Sequence, residues 1–93
     1  MKIVRKEKYS TSLKQILSYI SKDSKIQAIN FKNELDENIN KIISMPYKYR
    51  KSIYFNDENI RDLIYKGYVI PYKIDKEKNQ IIIIGVNKYK ANL

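Results

Sequence analysis

Five consecutive residues, Tyr47-Lys48-Tyr49-Arg50-Lys51, put two aromatic rings and three cations together with no acid among them. Cations bind phosphates and tyrosine faces stack on bases, so this stretch suits a nucleic-acid or target contact, to which Lys73 further on would add. A solvated loop whose tyrosines lie flat on the fold is the plainer alternative. A second group, Asn87-Lys88-Tyr89-Lys90, comes near the C-terminus. There a lysine could stabilise phosphorane charge and a tyrosine could donate a proton, which is what phosphodiester cleavage needs when no metal or histidine helps. A frayed basic tail is the competing view. Arg61 stands apart from both groups, in a strand-like stretch where a plain surface role is common.

The chain has no histidine and no cysteine. That removes disulfides, thiolate metal sites and the usual neutral-pH general base, so zinc chemistry and Ser-His or Cys-His catalysis are excluded and no metal or cofactor is expected. Nineteen Lys and Arg face ten Asp and Glu, for a net charge of +9. Nine of the cations precede Pro46 and ten follow it, with five acids on either side, so the excess belongs to the whole body rather than to a tail. Phosphates or an acidic protein are the natural partners. The longest strongly apolar run, Ile81 to Ile84, is far short of the roughly 20 residues that span a bilayer, and the N-terminus lacks an apolar signal core. The expectation is a soluble, cytoplasmic protein whose 93 residues form one domain with one modest core.

The elements that must position these residues are legible from periodicity. Residues 2–5 read as a short strand. Ser10, Thr11 and Ser12 offer N-cap oxygens for a helix whose apolar stripe is Leu13, Ile16, Leu17 and Ile20, ending near Lys22. Ser24 and Gln27 have capping-box spacing, and Ala28, Phe31, Leu35, Ile39 and Ile42 form a second stripe stopped by Met45-Pro46. The two helices should form an antiparallel hairpin over a common surface. After Tyr47 the period changes to 2. Residues 52–55 and 60–65 read as strands joined by a polar turn, and Gly67 permits a tight reversal. In the next strand Tyr68, Ile70, Tyr72 and Ile74 share the face expected to pack under the helices, while Val69, Pro71 and Lys73 share the other. Pro71 cannot donate to a ladder, so either that strand has a free edge there or the ladder carries a bulge. Residues 80–87 form the last strand, with isoleucines on both faces. It is therefore central, or covered on its outer side by a partner.

The blocks Ile60-Arg61-x-Leu63, Gly67-Tyr68-x-Ile70-x-Tyr72-x-Ile74-Asp75 and the isoleucine run 81–84, in this order behind a helical hairpin, resemble the RelE/ParE superfamily, the toxin halves of type II toxin-antitoxin pairs. The resemblance covers nearly the whole chain. It implies an α+β fold of order β-α-α-β-β-β, an antiparallel helical hairpin packed on a mainly antiparallel sheet, and a cognate antitoxin bound in a hetero-oligomer. On the apolar strand face, Ile82, Ile84 and Val86 are the expected antitoxin contacts. RelE-like members cleave messenger RNA on the ribosome, and by resemblance Arg50, Arg61, Lys88 and Tyr89 would be the catalytic set. ParE-like members inhibit DNA gyrase without such a set. RelE-like proteins carry an arginine after the tyrosine of the Gly-Tyr block, where this chain has Val69. Where they carry a basic pair in the preceding strand, this chain has Ile60 and Asp62 around Arg61. The pattern is closer to ParE, so gyrase inhibition is expected; ribosome-dependent RNA cleavage, or an inactive fold that only binds its antitoxin, stands as the alternative.

Overall fold

A computed structural model describes residues 1–89 and opens with strand β1 (Lys2–Arg5), helix α1 (Glu7–Asp23) and helix α2 (Lys25–Lys41). Helix α1 begins before the expected caps. Its N-cap is Lys6, with no side-chain bond, and Ser10, Thr11 and Ser12 lie inside the helix. Packing explains the shift. Tyr9, 1% exposed, extends the Leu13–Ile16–Leu17–Ile20 stripe by one turn into the core. The Lys6 N–H donates to the Ile83 carbonyl at 3.0 Å and ties the helix start to the sheet. Burying a tyrosine outweighs a cap of about 1 kcal/mol.

The second cap forms where the spacing predicts, with Ser24 Oγ accepting from the Gln27 N–H at 3.2 Å. Ala28, Phe31, Leu35, Ile39 and Ile42 are all buried. The α-helix stops at Lys41, and the chain tightens into a turn of i→i−3 bonds, from the Ile42 N–H to Ile39 O at 3.1 Å through the Met45 N–H to Ile42 O at 3.2 Å, before Pro46.

Four further strands follow: β2 (Ile60–Tyr65), β3 (Tyr68–Asp75), β4 (Gln80–Ile83) and the two-residue β5 (Asn87–Lys88). The sheet order is β1-β4-β3-β2, with β5 on β3; β1 runs parallel to β4 and the other pairs are antiparallel. Strand β4 is therefore central, which accounts for isoleucines on both its faces. The β2–β3 turn has φ of 46° at Lys66 and 81° at Gly67, the two positive values of a type I′ hairpin.

Residues 52–55 do not form the expected strand. Segment 50–52 runs along the edge of β2, with Ser52 N–H to Ile60 O at 2.8 Å and Asp62 N–H to Arg50 O at 3.0 Å, and Lys51 bridges Arg61. Beyond it, the Ile53 N–H bonds to the Asp62 carboxylate and the Tyr54 N–H to Ser52 Oγ. Side-chain acceptors have taken the donors a ladder would use.

Register divides the sheet into two faces. Arg61, Leu63 and Tyr65 pair with Tyr72, Ile70 and Tyr68 on the inner face, joined by Ile74, Ile81 and Ile83 under Phe31, Leu35 and Ile39. Ile60, Asp62 and Ile64 pair with Lys73, Pro71 and Val69 on the outer face, with Ile82 beside Lys73. Pro71 is accommodated because the Asp62 N–H points away to Arg50, while the Pro71 carbonyl accepts from the Ile84 N–H at 2.9 Å on its other side. It returns no donor, and β4 ends at Ile83. From Tyr72 opposite Ile83 to Val69 opposite Asn87, four steps along one strand answer three on the other. The proline thus sits at a bulge, and the extra residue turns Val86 inward.

Candidate functional site

The sequence places Arg50, Arg61, Lys88 and Tyr89 in one candidate set, and the sheet divides it. Arg50 and Tyr89 meet on the outer face, the guanidinium carbon 5.5 Å from the ring centroid. Arg61 pairs with Tyr72 and Lys88 with Tyr68, both inner-face tyrosines. Lys88 accordingly borders a groove with Ser12, Ile16 and Tyr19 of α1. Strand backbone therefore lies between the two pairs.

The two arginines differ in charge environment. Arg50 NH2 lies 3.6 Å from Asp62 Oδ2, an ion pair rather than a hydrogen bond. Asp62 is 1% exposed, and its Oδ2 also accepts the Ile53 N–H at 3.1 Å, while its buried Oδ1 has no hydrogen-bond partner among the described residues. Arg61 has no carboxylate within ion-pair distance among the described residues. Its Nε donates to Glu58 O at 2.9 Å and NH1 to Tyr49 O at 3.3 Å, and its guanidinium lies 5.0 Å from the Tyr47 centroid. Arg61 thus pins the loop that approaches β2.

The remaining sequence-derived candidates are spread over the loop beside β2, the interior strands β3 and β4 and the residues just after β4. Lys48 and Lys51 are exposed, with Lys48 Nζ 5.8 Å from the Tyr49 ring centroid. Tyr49 packs edge-on against Tyr72, whose centroid is 6.3 Å away. Tyr72 itself is buried and donates to Pro46 O. Burial, and then nearby Tyr49, raise its phenol above the ordinary tyrosine value, so it serves as an anchor and not as an acid at neutral pH. Lys73 is exposed on the outer face beside Ile60 and Ile82. Ile82 and Ile84 are half-buried, whereas Val86 is 3% exposed within the inner core. The expectation of one apolar row therefore applies in geometry to the first two positions only. The burial of Asp62 is not legible in the sequence: alternation puts it on the outer face of β2, and segment 50–53 lying along that edge encloses it.

A family model described as the ParE toxin of the type II toxin-antitoxin system, parDE, matches residues 3–92. The chain belongs to the ParE toxin family. Its place is thus the toxin half of a two-protein system, a family membership that implies a cognate antitoxin. Among solved structures, a chain from the chromosomal ParDE system of P. aeruginosa is similar at a TM-score of 0.76 and 13% identity, covering 97% of each chain. The isolated RelE toxin of E. coli is similar at 0.68 and 14% identity, covering 98% of this chain and 86% of its own. At such identities both likenesses concern the fold, which is the RelE/ParE-like α+β arrangement. No curated protein sequence matches the chain significantly. No described helix of this ParE-family chain is long and apolar enough to cross a membrane.

Proposed function

We propose that this ParE-family toxin arrests growth by binding DNA gyrase and not by cutting RNA, and that its antitoxin neutralises it as a bound partner. The observation carrying this reading is the Arg50–Asp62 pair. Metal-free phosphodiester cleavage needs uncompensated cations around the phosphorane. Here a buried carboxylate lies 3.6 Å from the one arginine that meets Tyr89, and it would repel a phosphate approaching them. Arg61 and Lys88, on the opposite face, supply no replacement. A binding role for Lys48, Tyr49, Lys51 and Lys73 is compatible with this arrangement, since recognition can be spread over a surface where catalysis cannot.

The antitoxin is expected to bring acidic and apolar side chains to a surface of net charge +9, with Ile82 and Ile84 as outer-face contacts. The test is pulse-labelling of DNA and protein synthesis in the minutes after the chain is induced without a partner, together with a supercoiling assay on purified gyrase. Early loss of DNA synthesis and of supercoiling is the expected result. An immediate fall in protein synthesis with cleaved messenger RNA would replace it with the RelE-like reading, and undisturbed synthesis of both would leave a fold that only binds its antitoxin.

A further inference from the structure

Residues 43–55, between α2 and β2, expose Ile43, Met45, Tyr47, Ile53, Tyr54 and Phe55, which are six of the twelve exposed large hydrophobic residues in the described chain. Three of them are consecutive, with exposures of 58% for Ile53, 48% for Tyr54 and 39% for Phe55. The same stretch holds three cations, Lys48, Arg50 and Lys51, and no carboxylate.

This segment is irregular but held at successive points. Tyr72 Oη donates to Pro46 O, Tyr47 Oη to Asn59 Oδ1 at 2.7 Å, and Arg61 NH1 to Tyr49 O at 3.3 Å. The Asp62 N–H donates to Arg50 O at 3.0 Å and the Asp62 carboxylate accepts the Ile53 N–H at 3.1 Å. The sheet thus spends a buried carboxylate, a buried phenol and an arginine on the backbone of a loop whose apolar side chains it leaves in water. Ordering a loop in advance lowers the entropy lost when it binds, and exposing clustered apolar side chains has a purpose only if something covers them.

We propose that residues 43–55 are a preorganised docking arm, with Ile53, Tyr54 and Phe55 as its anchors, that inserts into an apolar cleft rimmed by carboxylates on a target protein. A protein is favoured over a nucleic acid because Ile43, Met45 and Ile53 are aliphatic: bases stack on aromatic rings, but aliphatic side chains are buried by protein pockets. The absence of any acid in 43–55 sets the charge of the rim. This rests on the reading that the chain acts by binding a target.

The experiment compares wild type, Tyr54→Ser/Phe55→Ser and, as a remote surface control, Ile26→Ser, which replaces a residue 70% exposed on α2. Each full chain is induced in a bacterial host at matched soluble level, and its thermal melting is measured. The expected result is that the control arrests growth like wild type, while the double variant, melting within a few degrees of wild type, loses arrest and needs at least tenfold more protein to inhibit purified gyrase. Arrest by the folded double variant equal to wild type overturns the arm and leaves the gyrase reading standing. Arrest that depends on Tyr54 and Phe55 without any effect on gyrase keeps the arm and removes gyrase as its target. A wild type that causes no arrest removes both. If single-stranded RNA or DNA oligonucleotides bind wild type and not the double variant, the partner is a nucleic acid and the protein cleft is wrong.

Discussion

The Asp62 carboxylate faces the Arg50 guanidinium at 3.6 Å while the Asp62 N–H donates to the Arg50 carbonyl at 3.0 Å, so one residue of β2 holds both ends of one residue of the loop. The pair couples charge to loop position. Asp62 is enclosed and Arg50 is 41% exposed at its side chain, so the arginine can leave but the carboxylate cannot. Removing the cation therefore leaves a buried charge whose one hydrogen-bond donor among the described residues is the Ile53 N–H.

Arg50→Ala is expected to destabilise the fold by about 1–3 kcal/mol, the range for a buried polar group losing a charged partner, and Asp62→Asn by a similar amount. Their combination should cost less than the sum, with a coupling of about 1 kcal/mol. Urea unfolding of the four proteins measures this, and strict additivity would show that the two groups do not interact.

Arg61 acts through a fork that spans two backbone carbonyls, Glu58 O and Tyr49 O. Arg61→Ala should cost about 1 kcal/mol, and Arg61→Lys should recover little of it because an ammonium is a point donor that cannot bridge both. Full stability in Arg61→Lys would mean that charge alone suffices.

Gly67 has φ of +81°, and an added Cβ would meet nothing within 4 Å. Gly67→Ala should therefore cost about 1 kcal/mol through backbone conformation alone. The same substitution at Gly85, which is also open but lacks a positive φ, should cost clearly less. Equal losses in denaturant midpoint would contradict the assignment.

Glu34 accepts from the Tyr65 hydroxyl and pairs with Lys66 at 3.1 Å, and these contacts, the tyrosine bond first, hold its carboxyl below the ordinary value of 4.5. In the unfolded chain it protonates at higher pH than in the folded one. Its contribution is therefore present above pH about 4.5 and lost as pH falls below that value toward the depressed folded one. Glu34→Gln should flatten this part of the profile; if thermal melting from pH 6 to pH 3 falls as steeply in the variant, the carboxylate is not the cause.

Leu35 and Ile39 are 0% exposed, at the centre of the contact between α2 and the sheet. Leu35→Ala should cost about 2–5 kcal/mol, a large share of the roughly 5–15 kcal/mol that stabilises a domain. Ile26→Ala, at a position 70% exposed on the same helix, should stay within about 0.5 kcal/mol. Calorimetry separates the two, and comparable losses would displace the core from where these residues put it.

Much of the architecture was legible because it follows from local periodicity. Leu35 and Ile39 recur at helical spacing, Ser24 precedes Gln27 by three, and Tyr68, Ile70, Tyr72 and Ile74 alternate, so helix stripes, one cap and the buried face of β3 could be assigned from neighbours along the chain. The Ser-Thr-Ser run places the start of α1 later than Glu7, where the helix begins, because Tyr9 is a single aromatic residue beside three good caps. Only the sheet beneath it makes its burial outweigh those caps. Residues 52–55 carry a β-branched isoleucine and two aromatics and so read as a strand, yet the Asp62 side chain takes the Ile53 N–H that such a strand would need.

Strand, helical hairpin and meander follow from patterns local to the chain, as do the positive charge spread through the body and the family to which those blocks belong. Tertiary structure decided which cations stand together. Whether Arg50 meets Asp62, whether Lys88 faces the helices, and whether Val86 points in or out depend on strand register and on one inserted residue opposite Pro71. A shift of one residue exchanges the faces of a strand while leaving its composition unchanged.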